Sequence, residues 1–153
     1  MEVVEDLSGL HLITVNYYDD PRRRLLCTVS DNHLGGRNNV FIGYTFNDEI
    51  SEKIETHYVN GQLTNQIVLI TRYTYDHQGR LLEEKLKFNN EEFITISALE
   101  YNEIGDVINT YLHGGDNVQA FNQKIENTYN IKGWLRMMNN PAEIGHNLFA
   151  LDL

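Results

Sequence analysis

The segment YTYDHQGRLL at residues 73–82 is copied elsewhere in the same chain, as LEYNEIGDVI at 99–108 and NTYNIKGWLR at 127–136. The shared core is a tyrosine, an aspartate or asparagine, two free positions, a glycine, one more free position and an apolar residue. Tyr75-Asp76-Gly79-Leu81, Tyr101-Asn102-Gly105-Val107 and Tyr129-Asn130-Gly133-Leu135 fill it. Two degenerate copies lie upstream. YYDDPRRRLL at 17–26 keeps Tyr18-Asp19 and replaces the glycine with an arginine run, and YTFNDEI at 44–50 keeps an aromatic, Phe46, before Asn47. Starts near 18, 46, 75, 101 and 129 are 28, 29, 26 and 28 residues apart. Self-similarity at a fixed period confines a chain to folds in which one supersecondary unit is stacked on itself. The expectation is a single repeat domain over 1–153 built from about five units.

Each unit reads as a β-hairpin. An Asp or Asn opening a turn can accept hydrogen bonds from backbone amides two residues on. A glycine three positions later supplies the positive φ that follows a type I turn in a bulged hairpin loop. The flanks alternate with the period of two that strands require. Leu69, Thr71, Tyr73 and Tyr75 fall on one face before the turn; Leu82, Leu86 and Phe88 share a face after it, opposite Glu83, Lys85 and Lys87. Val40, Ile42, Tyr44 and Phe46 form another such series, as do Phe93, Thr95, Ser97, Leu99 and Tyr101. Turn signals between the copies are Asn60-Gly61, Asn89-Asn90, Gly114-Gly115 and Asn140-Pro141. No stretch carries an apolar face at helical spacing. The expected fold is all-β: about ten strands, as consecutive antiparallel hairpins forming one curved, twisted sheet. A β-propeller would need about four strands per blade, where a 28-residue unit supplies roughly two.

Charge and composition narrow the partners. The net charge is −10, from 22 acidic and 12 basic residues, which disfavours nucleic acid and anionic membranes, since both select a basic face. No apolar run is long enough for membrane insertion. The single cysteine, Cys27, excludes an internal disulfide framework and, within the apolar run LLCTV, is expected to be buried and inert. MEVVEDLSGL is acidic and has neither the cationic region nor the apolar core of a signal peptide.

On these motifs the chain resembles the YD-repeat (Rhs-repeat) family of large, mostly bacterial, secreted or surface proteins. The segments YNIKGWLRMMNNPAEIGHNLFALDL and SDNHLGG (30–36) are especially similar to members from Bacteroidetes, and the resemblance runs from about Tyr17 to the end. It implies β-hairpins strung into a continuous sheet that spirals into a hollow shell around a toxin or other cargo domain, and an extracellular or cell-surface location. The chain departs from full-length members in lacking their self-cleaving, aspartate-dependent core motif and any toxin domain. It reads as a piece of shell wall whose partners are neighbouring repeats or a cargo domain. With apolar alternation running into LFALDL, self-association as a homodimer or higher oligomer is expected.

Few residues invite chemistry. Tyr75, Tyr101 and Tyr129 are open to two readings, a ladder of rings for stacking sugars or a packing position repeated once per hairpin; repetition favours packing. Trp134, the only tryptophan, follows the turn glycine where other copies have Arg80 and Asp106, a position facing away from the apolar series. It is a candidate contact surface, with a role capping the core as the alternative. The histidines, His11, His33, His57, His77, His113 and His146, form no i, i+4 pair and no zinc spacing with cysteine. Asp31, Asn32 and His33 in SDNHLGG, and HGGDN at 113–117, read as turns using Asp, Asn and Gly for their backbone tolerance rather than as polar sites. There is no G-x-S-x-G elbow, and the acids of NDEISEKIE yield no nameable acid–base pair. The expectation is therefore no catalytic, cofactor or metal residues and a non-enzymatic structural module. The alternative is a module presenting a sheet face to carbohydrate or to a partner protein.

Overall fold

A computed structural model describes residues 2–5, 11–59, 66–114, 121–145 and 147–153. Among these residues there are twelve β-strands and no α-helix: β1 Glu2–Glu5, β2 His11–Tyr18, β3 Leu25–Asp31, β4 Arg37–Tyr44, β5 Ile50–Tyr58, β6 Ile67–Tyr75, β7 Leu81–Phe88, β8 Ile94–Tyr101, β9 Val107–Gly114, β10 Gln123–Tyr129, β11 Leu135–Met138 and β12 Leu151–Asp152, with a 3₁₀ turn at Pro141–Glu143. Asn60-Gly61, Gly115 and the rest of the 113–117 segment beyond Gly114, and His146 lie outside the described residues.

The chain divides into two compact units, Met1–Arg72 with Leu86–Glu92, and Tyr73–Lys85 with Phe93–Leu153. In the first, antiparallel ladders join β1 through β6 in sequence, each strand to the next. In the second, ladders join β8 through β12 in the same way.

One closure recurs at the turns. Asp76 N–H donates to Arg80 O at 2.9 Å and Gly79 N–H to Asp76 O at 3.1 Å; Asn102 with Asp106 and Gly105, and Asn130 with Trp134 and Gly133, repeat both bonds at 2.9–3.1 Å. Gly79, Gly105 and Gly133 take φ of 77°, 97° and 75°. In each turn the side-chain oxygen of the opening residue accepts two more amides: Gln78 and Arg80 on Asp76, Ile104 and Asp106 on Asn102, Lys132 and Trp134 on Asn130. The opening side chain thus satisfies turn amides that the backbone carbonyls leave open, which is what Asp or Asn supplies at this position. A register shift at the strand-ending tyrosine inserts one extra residue on the outgoing strand at Tyr18, Tyr44, Tyr101 and Tyr129. That is the bulge which type I loops require in hairpins.

The upstream copies solve the same problem differently. The 44–50 segment closes between Thr45 and Glu49, with Asp48 at φ 71° where the others have glycine. Its strand-ending aromatic is therefore Tyr44, and Phe46 stands 89% exposed on the loop. This corrects the alignment by two residues: the lost glycine had hidden that the loop keeps its length. The first loop is one residue longer, closing from Asp19 to Arg24 with Arg23 at φ 56° and a cis Asp20–Pro21 bond.

Burial is unlike that of a layered domain. Among the described residues the buried side chains are Tyr111 and the polar Asn32, Thr71, Thr95 and Asn139. Cys27 is half-buried rather than buried, and desolvation raises its thiol pKa. Leu82 and Phe88 are 36% and 42% exposed, so the apolar alternation marks strand faces without marking a covered core.

A Cβ added to Gly133 would meet nothing within 4 Å. Gly133→Val should therefore cost about 1–2 kcal/mol from left-handed backbone strain alone, measurable by urea denaturation.

Candidate functional site

Two constellations stand out. The first fastens hairpin to hairpin within each unit. In the second unit, Asp76 accepts Arg80 Nε on its other oxygen at 2.6 Å. The Arg80 guanidinium lies 4.6 Å from the centre of the Tyr101 ring, one hairpin on. Tyr101 O–H in turn donates to Leu81 O, the residue after Arg80, at 2.8 Å. Tyr129 repeats the last step, donating to Val107 O at 2.9 Å, just past Asp106. The first unit contains the whole device again. Asp19 accepts Arg24 Nε at 2.8 Å and a terminal nitrogen at 2.6 Å, Arg24 lies 4.8 Å from the Tyr44 ring centre, and Tyr44 O–H donates to Leu25 O at 2.8 Å. Asp48 then accepts both Arg24 and Arg22 at 2.5 Å.

The position that closes the turn, which reads as free in the sequence, is thus a keystone between hairpins where it holds Arg80 or Arg24. Its partner ring sits about twenty residues downstream, so no local pattern advertises it. Tyr101 and Tyr129 are half-buried with their hydroxyls engaged. Burial raises both phenol pKa values. Tyr75 is half-buried at the same strand end. Trp134 occupies the keystone position of the last described turn and is 66% exposed, with Lys132 Nζ 5.2 Å from its ring centre.

The carboxylates of these clamps respond to pH. Hydrogen bonds from the Arg24 guanidinium, then from its backbone amide, lower the pKa of Asp19. At Asp76 desolvation pushes upward, but the amides of Arg80 and Gln78 and the Arg80 side chain together outweigh it, and the net shift is down. A carboxyl whose pKa is lower folded than unfolded contributes stability above the ordinary aspartate range, near 4. That contribution fades as pH falls through the folded value. The thermal midpoint should therefore hold from neutrality to about pH 4 and fall below it, and Asp76→Asn should flatten part of that fall.

The second constellation is a cleft of about 380 Å³ in the first unit, among Ser30, Asn38, Val40, Glu55, His57 and Leu69. Register places Ser30, Asn38, His57 and Ile67 side by side across β3 to β6. His57 Nδ1 is 2.6 Å from Asn38 Oδ1. That same oxygen accepts Asn32 Nδ2 at 3.2 Å. Asn32, 6% exposed, is itself fixed: its Oδ1 accepts the amides of Leu34 and Gly36, and its Nδ2 also donates to Tyr58 O. With Asn38 Oδ1 as acceptor, Nδ1 of His57 is the donor of this bond, which leaves Nε2 for a further partner. Glu55, two residues back on the same face, adds a carboxylate paired with Lys53 at 2.9 Å. The SDNHLGG turn therefore supplies the support for a polar site through Asn32, while exposed His33 takes no part in it. Sequence spacing could not reveal this, because Asn38 and His57 meet only through strand pairing.

Among the described residues no group of three or more His, Cys, Asp or Glu is placed to hold a metal, and no helix is long and apolar enough to cross a membrane. No protein-family model matches the chain, and no curated protein matches it.

Proposed function

We propose that this chain is a non-catalytic structural repeat module, a run of hairpins in the curved, twisted wall of a larger secreted or cell-surface YD-repeat (Rhs-repeat) protein, serving encapsulation or adhesion. One observation carries this reading: the same turn, bulge and tyrosine-to-carbonyl bond recur, and each tyrosine grips the hairpin before it. A device that needs a predecessor and serves a successor suits an array whose stability is a sum of nearest-neighbour contacts. Neighbouring repeats or a cargo domain are then its natural partners, and no cofactor is called for.

The test is to lengthen the array. A second copy of residues 101–128 inserted before Tyr129 repeats one unit in register. A modular wall should accept it, unfolding cooperatively at a midpoint no lower than the parent and with a larger denaturant slope. An insertion that leaves the chain unfolded or splits the transition would count against the module.

The cleft beside His57 favours a second reading, a face that binds carbohydrate or a partner's polar side chains. Its polar groups, His57 Nε2 and Glu55, stand beside apolar Val40 and Leu69, the mixture that hydroxyl-rich ligands select. Saturable glycan-array binding lost in His57→Ala would establish it, and an array without hits would leave the structural reading alone.

A further inference from the structure

Three tyrosines reach back to one kind of acceptor. Tyr44 O–H donates to Leu25 O, Tyr101 to Leu81 O and Tyr129 to Val107 O, at 2.8, 2.8 and 2.9 Å. Each acceptor follows the residue that closes its turn, Arg24, Arg80 and Asp106 in order. The closing side chain stands by the same incoming ring. Arg24 lies 4.8 Å from the Tyr44 ring centre and Arg80 4.6 Å from that of Tyr101. Burial, and then the charge of Asp106, raise the Tyr129 pKa. The next members of the two series are Trp134, which closes its turn on Asn130, and Leu135. Trp134 is 66% exposed, and Lys132 Nζ stands 5.2 Å from its ring centre.

Strand pairing also places the incoming residue. Cys27 and Asn109 lie two residues past the acceptors Leu25 and Val107, and they pair with Phe41 and Glu126. Tyr44 and Tyr129 follow three residues after those partners. Met137 lies two residues past Leu135 and pairs with Asp152, so the corresponding place is three residues past Asp152 along the strand. We propose that Trp134 and Leu135 O form the socket for the strand-ending tyrosine of a following hairpin, which reaches it from that place. The carbonyl takes the hydroxyl, and the indole gives the incoming ring a flat partner for offset stacking where Arg24 and Arg80 give a guanidinium. Lys132 holds one face of the indole and leaves the other to the tyrosine. The occupant is thus set by the two contacts that the earlier tyrosines make at the same positions. The socket rests on the hairpin-module reading and names the surface through which the module is continued.

An extended chain tests this, residues 1–152 joined to a second copy of 127–153, which sets the second Tyr129 three residues past Asp152. Trp134 is the only tryptophan of the parent chain, and Trp134→Arg in the second copy keeps it the only one. Acrylamide quenching of its fluorescence should fall about threefold from the parent's, with emission shifted to the blue, as stacking takes the ring out of water. Tyr129→Ser in the second copy should return both to the parent's values at an unchanged denaturant slope. Tyr129→Phe, which keeps the ring, should not. Trp134→Ser at the original site should lower the thermal midpoint of the extended chain more than that of the parent. An indole as accessible in the extended chain as in the parent overturns the proposal. So does protection that survives Tyr129→Ser, or an equal effect of Trp134→Ser in the two chains. The two readings fail separately: a folded extended chain with a larger denaturant slope and an exposed indole sinks the socket alone. An extended chain that does not fold sinks the module, and the socket with it.

Discussion

Gly36→Ala should destabilise the protein by about 3 kcal/mol. A Cβ at this position would stand 1.8 Å from the Tyr58 carbonyl oxygen and 2.6 Å from its carbon, both backbone atoms. Neither can move without shifting β5, and overpacking against a fixed neighbour costs about this much. The same knot holds the Asn32 side chain, which accepts the Gly36 amide at 3.0 Å and donates to the Tyr58 oxygen at 3.1 Å. Pushing the two segments apart therefore loosens the chain of bonds that runs through Asn32 and Asn38 to His57. Gly43→Ala is the comparison, since its Cβ would first meet the Ser51 hydroxyl at an ordinary 3.4 Å. Its cost should stay within about 0.5 kcal/mol. Urea midpoints of the two variants should separate clearly, and similar midpoints would show that the Gly36 contact relaxes.

Asn139→Ala should cost about as much, for a different reason. Asn139 is 1% exposed at φ 53°. Its amide donates to Glu126 O at 2.7 Å, its Oδ1 accepts the Glu126 amide at 2.9 Å, and its Nδ2 donates to Phe149 O at 2.8 Å. Alanine removes both side-chain bonds, leaves two backbone groups without partners and sits poorly in the left-handed region. Together these cost about 3 kcal/mol. Asn139→Gly relieves the backbone strain and nothing else, so it should recover no more than about 1 kcal/mol. Full recovery by glycine would mean that the hydrogen bonds contribute little. Asn89 is built alike in the first unit, at φ 50° with its amide and Oδ1 both on Val68.

These positions show which parts of the fold a reader of the sequence can reach. The turns at 76–79, 102–105 and 130–133 were legible because their chemistry is local: a side chain closes on amides two and four residues away. The Asn89 and Asn139 corners were legible as turns, but not as buried anchors, because the strand they hold lies elsewhere in the chain. The register of the second copy was not legible, since Asp48 takes the backbone conformation assigned to glycine and Phe46-Asn47 imitates the motif. The faces of β4 were ambiguous for a related reason. Asn39, Val40, Phe41 and Ile42 are apolar on both alternations but for one residue, and only strand pairing shows that Phe41 shares its face with Ile54 and Cys27. The His57 cleft and the keystone arginines share one property: each is made by residues about twenty apart that strand pairing brings together.

The central claim is that the arginine closing a turn, Arg80 and likewise Arg24, binds its hairpin to the next one, and a double-mutant cycle between Arg80 and Tyr101 tests it most directly. Arg80→Met keeps the aliphatic stem and removes the charge; Tyr101→Leu removes the ring and the hydroxyl. The guanidinium over the ring predicts a coupling of about 0.5–1 kcal/mol between the two changes in equilibrium unfolding. Additive effects, with coupling below about 0.3 kcal/mol, would show that the hairpins lie side by side without this fastening.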